Sequence, residues 1–131
     1  MYRGMCLNPQ LSRILGETGH TDRICVTDAG FPIPQEVERV DLAWKKGDPG
    51  WLDVCRMLAS ELSVEKILLA EELRDENPEM LEAFTAIFAG VPLVFIPHAE
   101  LKAESRDTRA VVRTGECSSF CNCILVAGVD F

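Results

Sequence analysis

The chain has 131 residues, with 13 Lys and Arg against 21 Asp and Glu, for a formal charge of −8 at pH 7. That length suits one domain around one hydrophobic core, and a pI near 4.7 works against nucleic acid and anionic membranes, which both attract basic surfaces. A hydrophobic content of 47% with 26% charged residues excludes a disordered tail.

In chain order, Asn8-Pro9 sets a capping side chain before a proline at the first helical position. Leu11, Ile14 and Leu15 follow on one helical face, and Gly19 is placed to close this helix in the left-handed conformation. Ile24-Cys25-Val26-Thr27 reads as a strand ending at Asp28-Ala29-Gly30. Asp48-Pro49 repeats the cap signal ahead of Leu52, Cys55, Leu58, Ala59 and Leu62. Ile67-Leu68-Leu69-Ala70 is a second strand, ending at Glu71-Glu72. A third cap, Asn77-Pro78, opens a helix carrying Met80, Leu81, Phe84, Ile87 and Phe88. Leu93 to Ile96, Ala110 to Arg113 and Cys123 to Ala127 complete the strands. These runs are apolar throughout rather than alternating, which predicts strands covered on both faces. Strands alternating with helices then predict a three-layer α/β/α domain over 1–131 with a mostly parallel or mixed central sheet.

The longest uncharged stretch, Ala83 to His98, is interrupted by Thr85, Gly90, Pro92 and Pro97. It falls short of the roughly 20 apolar residues that a membrane span needs. The amino terminus lacks the apolar core of a secretory signal. Cys6, Cys25, Cys55, Cys117, Cys121 and Cys123 are therefore expected as thiols in a reducing cytoplasm. The apolar end, Ala127 to Phe131, either plugs this chain's own core or packs on another subunit. Trp44 and Trp51 are candidate interface anchors.

No Gly-rich dinucleotide fingerprint, Walker loop or nucleophile elbow is present. Two histidines occur, and imidazole is the side chain best suited to proton transfer at neutral pH. His20, after Gly19, serves either catalysis or the negative end of the first helix. Asp28 and His98 both follow strand ends, where open α/β sheets bind ligands. Lys102, one turn beyond His98, can join them, whereas Asp28 also suits a plain turn. Cys117, Cys121 and Cys123 lack the second ligand pair that zinc demands, so no metal site is expected. Glu71-Glu72 reads as a helix entry or turn rather than a catalytic carboxylate pair.

Further motifs run from Gly19-His20-Thr21-Asp22 through Val26-Thr27-Asp28-Ala29-Gly30-Phe31-Pro32-Ile33-Pro34. They resume at Val40-Asp41-Leu42, Ala70-Glu71-Glu72, His98, Arg113-Thr114-Gly115-Glu116-Cys117-Ser118 and Asn122 to Phe131. Together these resemble the D-ribose pyranases of the ribose pyranase and fucose mutarotase family. The resemblance implies a cofactor-free isomerase that interconverts the pyranose and furanose forms of D-ribose. It implies His20 as proton donor, Asp28 and His98 as sugar ligands, and Phe120, Cys121 and Asn122 completing the pocket. It also implies a homodecamer of two stacked pentameric rings, serving ribose catabolism between a transporter and a ribokinase.

One departure stands out. The family usually reads Pro-Tyr-Ala-Asn where this chain has Ser119-Phe120-Cys121-Asn122, so the aromatic wall stays and the phenol hydroxyl goes. Mutarotation of another sugar, such as fucose, and non-catalytic sugar binding are the alternatives this leaves open. There is also a geometric conflict. His20 precedes the first strand and Asp28 follows it, and eight extended residues reach about 26 Å. A pocket between subunits resolves it.

Overall fold

The computed structural model describes residues 1–131. Helix α1 (Pro9–Glu17) begins as its sequence dictates: Asn8 Oδ1 accepts the Leu11 N–H at 2.9 Å and Pro9 occupies the first turn. Its other end differs from expectation. Thr18 closes the helix from extended backbone, donating its N–H to Leu15 O and its hydroxyl to Ile14 O. The last carbonyls are thereby satisfied, and no left-handed glycine is required.

The chain then builds β1 (Arg23–Thr27), β2 (Glu38–Asp41), α2 (Trp51–Glu61), β3 (Val64–Ala70), α3 (Glu71–Glu76), α4 (Pro78–Ile87), β4 (Leu93–Ile96), α5 (His98–Glu104), β5 (Ala110–Arg113) and β6 (Cys123–Ala127). The six strands form one mixed sheet in the order β2-β5-β1-β6-β3-β4. Five strands point the same way, and β6 alone runs against its neighbours β1 and β3. The carboxyl ends of the five thus share one edge with the start of β6.

Both faces are covered, as the apolar strands require. Residues Ile24, Val26, Ile67, Leu69 and Leu125 meet α1, α2 and α4 in the larger core. The opposite side chains, Cys25, Val111 and Ile124, pack with Leu101 of α5 and Val37 of the β1–β2 loop in a smaller one.

Trp51 is fully buried, stacked on Phe84 with centroids 4.7 Å apart, and its indole N–H donates to Val26 O. It is a core residue, not a surface anchor, because its ring joins α2 to both α4 and β1. Trp44 stays exposed, with the Lys45 ammonium 4.8 Å from its ring. Phe131 is wholly exposed and does not fill its own core. Beyond β6 the chain follows Ser63, with Gly128 N–H on Ser63 O and the Ser63 hydroxyl on Val129 O, and so leaves the body of the domain. No helix is long and apolar enough to cross a membrane.

Asp48-Pro49 does not cap α2. That helix starts at Trp51 after Gly50, and the group receiving the Trp51 N–H is Glu116 Oε1, 3.2 Å away. A carboxylate there also meets the positive end of the helix. Gly115 makes this possible by lying against the 47–49 turn: it donates to Pro49 O and accepts from Gly47. A Cβ on Gly115 would sit 2.5 Å from Asp48 O and 2.6 Å from Asp48 N, so no side chain fits without moving backbone. Gly115→Ala is expected to lower unfolding free energy by roughly 1–3 kcal/mol, read as an earlier urea midpoint; an unchanged midpoint would contradict this close packing.

Candidate active site

The carboxyl edge of the sheet gathers most of the residues singled out from sequence. Asp28 follows β1 and Asn122 precedes β6, and antiparallel pairing of these strands sets them side by side. They hold each other twice: Asp28 N–H donates to Asn122 Oδ1 at 2.9 Å, and Asn122 Nδ2 donates to Asp28 Oδ2 at 3.0 Å. Asp28 Oδ1 also accepts the Gly30 N–H at 3.0 Å, so the turn role and a site role coexist. Asn122 is fully buried while Asp28 is half-buried, leaving the carboxylate as the outer member.

The Arg113-Thr114-Gly115-Glu116 block fastens this turn from behind. Arg113 Nε donates to Ala29 O at 3.0 Å, its Nη1 holds Asp41 at the end of β2, and Glu116 O accepts the Ala29 N–H. The Asp41 carboxyl sits below the usual carboxylate range because Arg113, Ala43 N–H and Arg39 outweigh its desolvation.

His98 opens α5 just beyond β4, its N–H bonded to Glu72 Oε2 at 2.9 Å. This gives Glu72 a definite job in supporting the site. The imidazole stands edge-on to Phe120 at 5.1 Å and to Phe31 at 6.1 Å between ring centroids. Phe120 reaches it from left-handed backbone, φ 64°, where a short turn bonds Asn122 N–H to Phe120 O. Burial, reinforced by the Lys102 charge, pushes the His98 imidazole below its ordinary value against the pull of Glu72 and Asp28. Its Nδ1 is buried with no partner in the chain. A second proton there would leave a charged, unpaired N–H, so the neutral ring is favoured.

Cys121 contributes packing. It is fully buried in the larger core, and burial pushes its thiol up to about 12, so it is a neutral apolar group at any ordinary pH. Cys117 is exposed, the other five cysteines are buried, and all six are free thiols. No three His, Cys, Asp or Glu side chains converge as a metal site would require.

His20 lies elsewhere. It precedes β1, and its imidazole Nε2 is 2.9 Å from Glu65 Oε2, near the start of β3. Five residues of β1 separate it from the Asp28 edge, about 16 Å of strand. Its hydrogen bond goes to β3 rather than to the end of α1. A cleft of about 400 Å³ lined by Thr21, Glu65, Leu68 and Val126 opens beside it. Along α5, a cleft of about 640 Å³ takes in Pro32, Ile33, Ala99, Lys102 and Arg106 but not Asp28, His98 or Asn122. One chain therefore brings together Asp28, His98, Phe120 and Asn122, and leaves His20 on the far side. Phe31 and Glu65 were not marked by sequence reasoning: Phe31 sits inside a quoted motif without chemistry of its own, and Glu65 meets His20 only through strand pairing.

The chain is similar along its whole length to proteins of known kind. It is 44% identical to the D-ribose pyranase of Geobacillus kaustophilus, covering 100% of this chain and 96% of that protein. It is 45% identical to the D-ribose pyranase of Laribacter hongkongensis, covering 100% of both. The structure of Bacillus subtilis RbsD complexed with D-ribose matches with a TM-score of 0.96 at 40% identity over 100% of both chains. A fucose mutarotase from Streptococcus pneumoniae, in complex with L-fucose, shares the fold with a TM-score of 0.79 at 21% identity over 95% of each chain. The sequence model described as the RbsD / FucU transport protein family extends over residues 1–130. With sequence and fold agreeing from end to end, the chain belongs to the RbsD / FucU family.

Proposed function

We propose that this chain interconverts the pyranose and furanose forms of D-ribose by general acid–base opening and reclosure of the cyclic hemiacetal. The observation that carries this reading is the full-length match, at 40% identity, to a relative solved with D-ribose bound. Opening the ring requires a proton on the ring oxygen and removal of one from the anomeric hydroxyl. The free aldehyde then recloses through the neighbouring hydroxyl, and the same two proton movements run in reverse. A neutral-range imidazole can give and retrieve the proton. In this reading His20 does so, while Asp28, neutral His98 and the 120–122 segment hold the sugar and select which hydroxyl attacks. Phe31 and Phe120 supply the apolar walls.

The separation of His20 from Asp28 gives this site a particular form. His20 of one copy completes the cluster of Asp28, His98 and Asn122 on the next, within a ring-shaped homo-oligomer, two stacked pentamers as the family resemblance implies. Val129 and Phe131 are exposed and follow the end of β6 that lies beside His20, so a contact bringing His20 to a neighbour would also shelter this apolar tail. The six free thiols suit the cytoplasm.

Exchange NMR on ribose reads the reaction directly. His20→Ala is expected to slow pyranose–furanose exchange by about 10²–10⁴-fold with ribose affinity largely kept; unchanged exchange overturns the donor assignment. Oligomers mixed from His20→Ala and Asp28→Ala subunits are expected to regain about a quarter of wild-type turnover if sites are shared at random, and no recovery would place the whole site in one chain.

Phe120→Tyr is expected to hold ribose exchange or raise it by up to about fivefold, one hydrogen bond's worth. A large loss, with fucose exchange present instead, would favour mutarotation of another sugar. Because His98 takes up its proton only below the ordinary 6.5, ribose affinity by calorimetry should stay level from pH 8 to that value and weaken only beneath it. Weakening centred above 6.5 would contradict a neutral His98 in the site.

A further inference from the structure

A lone carboxylate beside an exposed histidine is ordinarily a minor surface contact, and His20 and Glu65 are 53% and 44% exposed. The backbone on both sides of this pair is far from ordinary. Strand β3 pairs Val64 with Ala127 and Lys66 with Val126, which leaves Glu65 as an extra residue bulged out of the ladder with β6. A bulge re-aims the side chain it carries. Gly128 faces it so closely that an added Cβ would lie 3.2 Å from Glu65 Cβ and 3.4 Å from Ser63 Oγ.

The histidine side is equally fixed. Thr21, the next residue, is held at φ 69°, an unfavourable conformation for a β-branched residue. Thr21 N–H donates to Ala127 O at 2.9 Å and Asp22 O accepts the Ala127 N–H at 2.8 Å. Asp22 Oδ2 takes the Gly19 N–H at 2.8 Å and is itself held by Arg109. A left-handed threonine, a bulge and a close-packed glycine thus converge on one imidazole–carboxylate contact of 2.9 Å.

We propose that Glu65 is a positioning residue for His20: accepting the Nε2–H, it fixes one tautomer and ring orientation, so that Nδ1 is the atom that carries the proton. The proposal rests on the reading of His20 as proton carrier. When His20 is charged, Nε2–H stays on Glu65 and the Nδ1 proton is the one delivered to the ring oxygen. When it is neutral, the Nδ1 lone pair faces the sugar and takes the proton of the hydroxyl that closes the new ring, while the anomeric oxygen passes its proton to water on opening and regains one on closing. Glu65 loses and gains no proton in the cycle, and the net reaction is unchanged.

Nitrogen NMR on the wild-type protein tests the first half, since neutral His20 is expected predominantly as the Nε2–H form; a predominant Nδ1–H form overturns the proposal. Glu65→Gln is expected to mix the tautomers and to cut exchange at saturating ribose by about ten- to a hundredfold, with half-saturation moved by less than about twofold and the thermal midpoint kept. In the double variant with His20→Ala, the Glu65→Gln change should add no further loss. If His20→Ala is slow but Glu65→Gln turns over like wild type, Glu65 has no positioning role while His20 keeps its own. If His20→Ala itself turns over normally, the underlying reading fails, whatever Glu65 does.

Discussion

Strand β6 enters the sheet against the direction of its neighbours, and the pairings of Asp28 with Asn122 and of His20 with Glu65 follow from that reversal. Its first residue follows Asn122, so the start of β6 meets the end of β1 and locks Asn122 to Asp28. Its last residue, Ala127, meets the start of β1 and the start of β3, where Thr21 and Ser63 are tied to it and to Gly128. Had β6 run parallel, Asn122 would lie at the amino edge and Asp28 would face water without its amide partner. One strand thus organises two separate chemical groups, the Asp28–Asn122 pair at one edge and the His20–Glu65 pair at the other.

The two edges differ in physical character. At the carboxyl edge, aromatic rings, a buried amide and a neutral imidazole make a surface of low polarity with a few directed hydrogen-bonding groups, which suits an uncharged polyol. At the amino edge, His20 and Glu65 are open to water and hold an imidazole against a carboxylate. In the proposed reaction, a second copy of the chain brings the edges together. That proposed arrangement would tie catalysis to assembly, because each half of the site would come from a different copy.

Local signals proved legible where the physics is local. Asn8 and Asn77 each cap the helix that follows by accepting the N–H three residues on, and the strands at Leu93–Ile96, Ala110–Arg113 and Cys123–Ala127 stand at the expected residues. Short or mixed elements escaped notice. Strand β2, Glu38–Asp41, has one buried residue among four, so it shows no apolar run, and it exists because β5 offers it a parallel partner. The cap of α2 came from Glu116, 65 residues along the chain, a partner that no window around Asp48-Pro49 contains. Trp51 likewise is buried rather than a surface anchor, since burial depends on which element passes overhead.

What the amino-acid sequence determined by itself was the alternation of apolar strands and capped helices, the acidic and globular character, and the motifs that carry the family resemblance. It also implied, through chain length alone, that His20 and Asp28 stand a strand apart. Only the tertiary structure decided that β6 is reversed, that Asp28 pairs with Asn122 94 residues away, that His98 stands edge-on to Phe31 and Phe120, and that a bulge turns Glu65 onto His20. Helix caps and apolar runs are energies of near neighbours, whereas strand order and register emerge from pairings between distant segments that no local pattern encodes.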